Sequence, residues 1–292
     1  MAGRSEREGE GTPMHTALPK MVRTTRTVSP GLLIAGFLLG LWLSLLLAHQ
    51  LGLPIATFRK PAPAPPPPYT YSLYGASNGV RLHALRTSPA NVELRAIATN
   101  VTDTNEYGMN GGFFWNGDLL SIAVIGDRPL KGQPHDYGSG WTNIDVPKGT
   151  LVWDEASQRF SIQVTDAANR LQVTDRKRYW AQGGVSMSLN DEAGWRAQAR
   201  KENMPVMDAP RLRSAAVYDR QQALWMIVSD KPCTVEAFRT AIRETIAPGQ
   251  LVDGIFLDGD GSSQMRSAEV TLRGDTRAVY QMMALKNKAT DR

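Results

Sequence analysis

The segment Leu251-Val-Asp-Gly-Ile-Phe-Leu-Asp-Gly-Asp-Gly-Ser-Ser-Gln-Met265 decides how the chain is read. Its first seven residues form a short run that is apolar but for Asp253 and Gly254, the length of a buried strand rather than a helix. The run ends on a carboxylate, Asp258, and passes into a glycine-spaced turn that carries a second carboxylate, Asp260, and two hydroxyls, Ser262 and Ser263. Polar sites tend to sit where a rigid strand delivers the chain into such a loop. Upstream lies the clearest helix, predicted over 234–247, with Val235, Phe238, Ile242 and Ile246 on one face at spacings of three and four. Thr234 suits its N-cap, and Pro248-Gly249 stops it. Further out the signals are mainly strands: 80–85 and 92–98 separated by Ser88-Pro89, then 119–125. A hairpin pairs 150–153 with 160–164, and another pairs 214–218 with 223–228 around Asp219-Arg-Gln-Gln222. Strands outnumber helices without a regular βαβ alternation, which predicts an α+β fold, a mixed β-sheet domain with few helices.

Composition limits what this body can do. The chain has 292 residues, with 33 Lys+Arg against 28 Asp+Glu and a formal net charge of +5. Residues 1–60 hold seven of the basic and three of the acidic side chains, so the remainder is nearly neutral. A nucleic-acid partner needs a basic face on the folded domain and is excluded on that ground. The single cysteine, Cys233, permits neither an intrachain disulfide nor a cysteine zinc site and reads as an incidental thiol at a helix start. The four histidines are scattered, so no histidine metal cluster is expected.

Between Arg26 and Arg59 there is no Asp, Glu, Lys or Arg, and residues 32–53 are apolar apart from Ser44, His49 and Gln50 and a few glycines. A bilayer core needs about 20 such residues. A cleaved signal peptide would have a shorter apolar run nearer the N-terminus and a small-residue cleavage site, which Ala48-His49-Gln50 does not offer. The expectation is a single-pass transmembrane helix. Five basic residues before it and two after it orient the N-terminus to the cytoplasm and the domain outside. Pro61-Ala-Pro-Ala-Pro-Pro-Pro-Pro68 then forms a semi-rigid polyproline spacer. The expected organisation is a cytoplasmic tail over 1–28, an anchor over 29–56, a Pro-rich linker over 57–68 and one domain over 69–292.

Three segments carry chemistry. In Gly108-Met-Asn-Gly-Gly-Phe-Phe114, Gly111 and Gly112 let backbone approach a ligand, Asn110 offers a donor and an acceptor, and Phe113 supplies an apolar wall. Asn-Gly is equally a hairpin signal. In Pro210-Arg-Leu-Arg-Ser-Ala-Ala216, Arg211 and Arg213 fall on one side of an extended chain, a spacing that suits a phosphate or carboxylate clamp and equally suits two surface arginines. In the third segment Asp258, Asp260, Ser262 and Glu269 stand at positions one, three, five and twelve of a calcium loop. Ser263 occupies the position an EF-hand reserves for glycine, and a strand precedes it, so an EF-hand is excluded. A divalent cation at Asp258 and Asp260 stays open.

Taken in order, these segments resemble the phosphodiester glycosidase family, which includes bacterial exopolysaccharide-related proteins. The resemblance rests on Asn110-Gly-Gly-Phe-Phe114, Gln182-Gly-Gly-Val-Ser186, Arg213-Ser-Ala215, Leu257-Asp-Gly-Asp-Gly-Ser-Ser263 and Arg277-Ala-Val279, and spans about residues 70–285. The chain departs from the pattern at Asp260, where the family has glycine. The resemblance implies hydrolysis of a sugar-1-phosphodiester at the anomeric C–O bond, in envelope or extracellular polysaccharide metabolism, with a phosphosugar or envelope glycan as partner and no cofactor. On that reading Asp258 is the catalytic carboxylate and Arg213, assisted by Arg211, clamps the departing phosphate. Asn110, Ser262 and Ser263 hold sugar or phosphate oxygens. Gly111, Gly112, Gly183, Gly184, Gly259 and Gly261 give backbone access, and Phe113, Asp260 and Arg277 complete the substrate contacts. Asp260, Glu106, Asp118 and Asp127 are candidates for a second carboxylate. The competing readings are a non-catalytic glycan-binding module and a metal-dependent hydrolase built on Asp258 and Asp260.

Overall fold

The computed structural model describes residues 30–51 and 68–286, and the chain divides into two units, Met1–Pro63 and Ala64–Arg292. The expected tail over 1–28 and nearly all of the Pro-rich linker lie outside the described residues. Helix α1 covers Pro30–Gln50, within the expected anchor, whose other residues apart from Leu51 lie outside them. Among the described residues no helix is long and apolar enough to cross a membrane.

The second unit is mostly β, in keeping with the α+β class. Its first sheet has six strands in the order Tyr69–Gly75, Arg81–Thr87, Leu224–Ser229, Ser214–Asp219, Leu251–Phe256 and Val185–Ser186. A second sheet of five is built around Lys148–Asp154 and Tyr179–Gly183, and a third of five around Tyr107–Asn110 and Val279–Leu285. The ladders between the named strands are antiparallel, so the sheets are not mixed as the sequence reading expected. The physical reason is the scarcity of crossover helices, since hairpins can join only antiparallel neighbours.

Strand alternation explains how the first sheet is covered on both faces. Along Ser214–Asp219, Ala215 and Val217 face a core with Phe238, Ile242 and Ile246, while Ala216 and Tyr218 face one shared with the second and third sheets. The first core belongs to helix α3, Val235–Thr245, which Thr234 caps by accepting from the Ala237 N–H at 3.1 Å. Trp153, Phe160, Trp180 and Tyr218 interlock on the other side at ring separations of 4.8–5.7 Å. Each such side chain, fully buried, contributes about 2 kcal/mol. Helix α2, Trp195–Lys201, and the strands at 69–75, 179–183 and 279–285 have weak periodicity and were not foreseen. The consequence for function is local. The chain leaves the first sheet at Phe256, turns through 257–264, and joins the third sheet at Met265–Arg266, so the turn with Asp258 lies at the junction of two sheets.

Candidate active site

Backbone hydrogen bonds hold the turn from both sides. The Leu257 N–H donates to Ser214 O at 2.9 Å, Asp258 N–H to Gly111 O at 3.2 Å, and Asp260 N–H to Leu212 O at 2.7 Å. The three motif segments, 104 or more residues apart in pairs that include Asn110, therefore meet. Asn110 is the brace. Its amide donates to Asp258 O at 2.8 Å and Gly111 O at 3.2 Å, and its Oδ1 accepts from Ser214 Oγ at 2.9 Å and the Gln264 N–H at 3.1 Å. That uses both donors and both acceptor positions of an amide. Asn110 thus ties the three segments together and has nothing left for a substrate.

The glycine pairs serve close packing. A Cβ on Gly111 would lie 1.9 Å from Gln281 Oε1, and one on Gly112 would lie 2.8 Å from Gly183 O. The space they leave is filled by buried glutamines. The Gly112 N–H donates to Gln281 Oε1 at 2.8 Å, Gln281 donates to Gln182 Oε1, and Gln182 donates to Gly183 O at 2.9 Å. Likewise a Cβ on Gly184 would lie 2.2 Å from Phe256 O, directly on the strand that leads to Asp258. Phe113 packs into the α3 core. Gln281 and Gln264 are structural centres of the site without a sequence signal, because a lone glutamine, in an apolar run at 281 and after two serines at 264, carries no spacing pattern.

Asp258 is partly exposed at its surface yet enclosed by protein, and burial pushes its carboxyl up to about 6. Opposing this, the Gly259 N–H donates to Oδ1 at 3.0 Å, the Ser262 hydroxyl lies nearby, and the Arg277 charge favours the anion, while Asp260 adds repulsion. Ser262 and Ser263 are buried, and neither hydroxyl has a hydrogen-bond partner of ordinary geometry. Buried polar atoms without partners are rare, and here two lie in one turn beside a carboxylate of perturbed pKa.

The arginines divide into two kinds. Arg213 is buried, and its guanidinium donates to Cys233 O at 3.1 Å, Val206 O at 2.6 Å and Ala209 O at 2.9 Å. It fixes the 206–209 loop and the start of α3, and burial pushes it below the ordinary guanidinium range. Arg277 is exposed, chelates the Asp275 carboxylate, and lies close enough to Asp258 and Asp260 to feel both charges. Its loop is held by Asn100 and Gln264, whose amides donate to Arg277 O at 3.1 and 2.9 Å. Asn100 is therefore buried with its amide committed, although Asn100-Val-Thr102 has the form of a glycosylation sequon. Arg211 is exposed, with Nε 3.8 Å from Asp260 Oδ2.

Asp260 stands at φ 54°, in the left-handed region that glycine adopts freely. Aspartate tolerates this region better than most residues. Gly261 packs against the Asp275 carboxylate, where a Cβ would lie 2.0 Å away. Gly259 passes 4.0 Å from Arg213 Cδ by the same measure. Of the other carboxylates, Glu106 pairs with Arg95 at 2.6 Å, and Asp127 pairs with Arg176 and accepts from the Tyr179 hydroxyl. Asp118 packs beside Gly138 in a neighbouring hairpin. Among the described residues no three His, Cys, Asp or Glu side chains group as metal ligands would. Cys233 is buried and its thiol is pushed up, which makes it unreactive. Cavities of about 430 and 440 Å³ lie away from the turn, lined by Tyr69, Arg86 and Gln221 in one case and by Ile162, Ser186 and Asp253 in the other.

No protein-family model and no curated protein matches the chain. Among solved structures it is similar to the catalytic domain of zebrafish N-acetylglucosamine-1-phosphodiester alpha-N-acetylglucosaminidase, auto-inhibited by its pro-peptide, with 13% identity over 80% of this chain and 87% of that one and a TM-score of 0.49. It is also similar to a hypothetical protein from Synechocystis, with 12% identity over 74% of this chain and 61% of that one and a TM-score of 0.40.

Proposed function

We propose that the domain hydrolyses the anomeric C–O bond of sugar-1-phosphodiesters in envelope or extracellular polysaccharide metabolism. We place it outside the membrane, on the anchor expected over 29–56. The observation that carries this reading is the turn itself: Asp258 with its carboxyl at about 6, the Ser262 hydroxyl beside it, the buried Ser263 hydroxyl without a partner, and the exposed guanidinium of Arg277, paired with Asp275, close by. The ordered family motifs are its second support. A phosphodiester is a good leaving group and needs little protonation, so charge stabilisation outweighs general-acid help. In the reaction, water attacks the anomeric carbon and gives its proton to Asp258. The C–O bond breaks with its electron pair going to the phosphate oxygen, and free sugar and a phosphomonoester leave. Arg277, with Arg211, faces the developing phosphate charge. Arg213 acts through position, holding the loops from beneath, and Asn110 fixes the turn.

The test is release of free sugar from the methyl diester of a sugar-1-phosphate by the full chain, with and without chelator. Turnover that survives chelation is expected. Turnover lost to chelation would transfer the reaction to a metal at Asp258 and Asp260, and absent turnover would overturn the hydrolase reading. Arg277→Ala is expected to lower kcat/KM about a hundredfold. Because its ion pair is exposed, that variant should stay within about 1 kcal/mol of wild-type stability in urea denaturation. Asp260→Gly should lower the apparent pKa of the pH–rate profile, since the like charge beside Asp258 is gone. Its stability should change by less than about 1 kcal/mol, relief at φ 54° being offset by a freer unfolded chain.

A further inference from the structure

Trp115 and Tyr137 are the most exposed large apolar side chains described in the 68–286 domain, at 67% and 66%. Trp115 stands on a tight hairpin of Phe114–Trp115 and Asp118–Leu119, whose two turn residues, Asn116 and Gly117, have φ of 49° and 92°. Two left-handed residues, Asn then Gly, make the turn that best matches strand twist. The hairpin is braced. Phe114 packs on Tyr280 with ring centroids 5.1 Å apart, Lys131 Nζ donates to Gly117 O, and the Leu119 N–H donates to Gly138 O at 2.9 Å. Residue 137 is brought alongside because Gly138 lies against Asp118, the cross-strand partner of Trp115.

Both ends of the brace lead back to the site. Trp115 is four residues beyond Gly111, whose carbonyl accepts the Asp258 N–H, and four residues reach at most about 14 Å. Tyr280 follows Arg277 by three residues. A rigidly mounted indole therefore stands on the segment that leaves the carboxylate turn, its Cα within about 14 Å of Gly111, with its side chain largely in solvent and Asn116, Asp118 and Lys131 around its mount. A protein or lipid partner would call for a contiguous apolar patch of a few hundred Å², whereas here two exposed aromatic side chains sit among Asn116, Asp118 and Lys131. A pyranose ring offers one apolar C–H face to stack on an indole and hydroxyls to meet the surrounding amide and carboxylate. We propose that Trp115 is a sugar-stacking platform, so that the substrate is an oligo- or polysaccharide of which a further pyranose ring rests on the indole while the phosphosugar reaches Asp258. This rests on the hydrolase reading for the reacting end only.

The experiment compares the full chain with Trp115→Ala and Trp115→Phe on methyl phosphodiesters of a monosaccharide and of a trisaccharide of the same sugar. Binding to an array of neutral oligosaccharides is measured in parallel. Trp115→Ala should lose about tenfold in kcat/KM on the trisaccharide diester, mainly through KM, leave the monosaccharide diester unchanged, and weaken array binding. Trp115→Phe should restore most of the loss. If wild type binds oligosaccharides through Trp115 without turning over either diester, the platform stands and the hydrolase reading falls. If Trp115→Ala treats both diesters as wild type does, or wild type binds no oligosaccharide on the array, the platform is overturned.

Discussion

Asp258→Asn is expected to lose at least about a thousandfold in turnover and yet to melt at a higher temperature than wild type. Both effects come from one cause. Burial raises the Asp258 carboxyl from 3.8 to about 6, so the folded chain disfavours the charge that the proposed reaction requires. A raised carboxyl pKa gives a stability contribution that is complete below the unfolded value and disappears as pH rises through about 6. Two pKa units correspond to about 3 kcal/mol, and the group's partial contact with solvent reduces this to about 1–2 kcal/mol. Asparagine keeps the acceptor for the Gly259 N–H and removes the charge, so the variant should gain that amount above about pH 6 and nothing below about pH 4. Wild-type kcat/KM should rise with pH through about 6, because the base must be ionised. Activity and stability thus move in opposite directions over the same interval. Thermal melts and a pH–rate profile read both, and a loss below tenfold, or equal melting temperatures at neutral pH, would move the role to another residue.

Arg213→Ala is expected to cost about 3–5 kcal/mol of folding stability. The substitution removes three hydrogen bonds, leaves the carbonyls of Val206, Ala209 and Cys233 without that donor, and opens a void under the 206–209 loop and the start of α3. Arg211→Ala, whose side chain is exposed, should shift the urea midpoint little while weakening the phosphodiester reaction. The contrast tests the roles drawn from the fold. If Arg213→Ala unfolded at the wild-type urea concentration but had lost turnover, its guanidinium would be acting on the substrate rather than on the loops.

These two residues also mark what a linear reading can and cannot reach. Asp258 was legible because an apolar strand ending on a carboxylate and glycines places a charged group at a rigid edge, whatever the topology. The hairpins at 148–165 and 214–229 and helix α3 were legible for the same reason, since period and caps are local properties. Arg211 and Arg213, two residues apart on one strand, read alike in sequence. Only the packing of residues 206–209 and 233 beneath the strand buries one and leaves the other in solvent. Asn110 read as a ligand because its neighbours are glycines. The glycines make room for Gln281 and Gln182, 70 or more residues away, and the amide is consumed in joining three segments.

The sequence by itself therefore determined the elements and their caps, the near-neutral body, and the carboxylate at the end of the strand over 251–256, because each depends on neighbours within a few residues. The tertiary structure alone decided the antiparallel arrangement, the upward shift of the Asp258 carboxyl, the burial of Arg213 against the exposure of Arg277, and the exposure of Trp115. Each of these is set by desolvation and by partners far apart in the chain, and neither is written in local spacing.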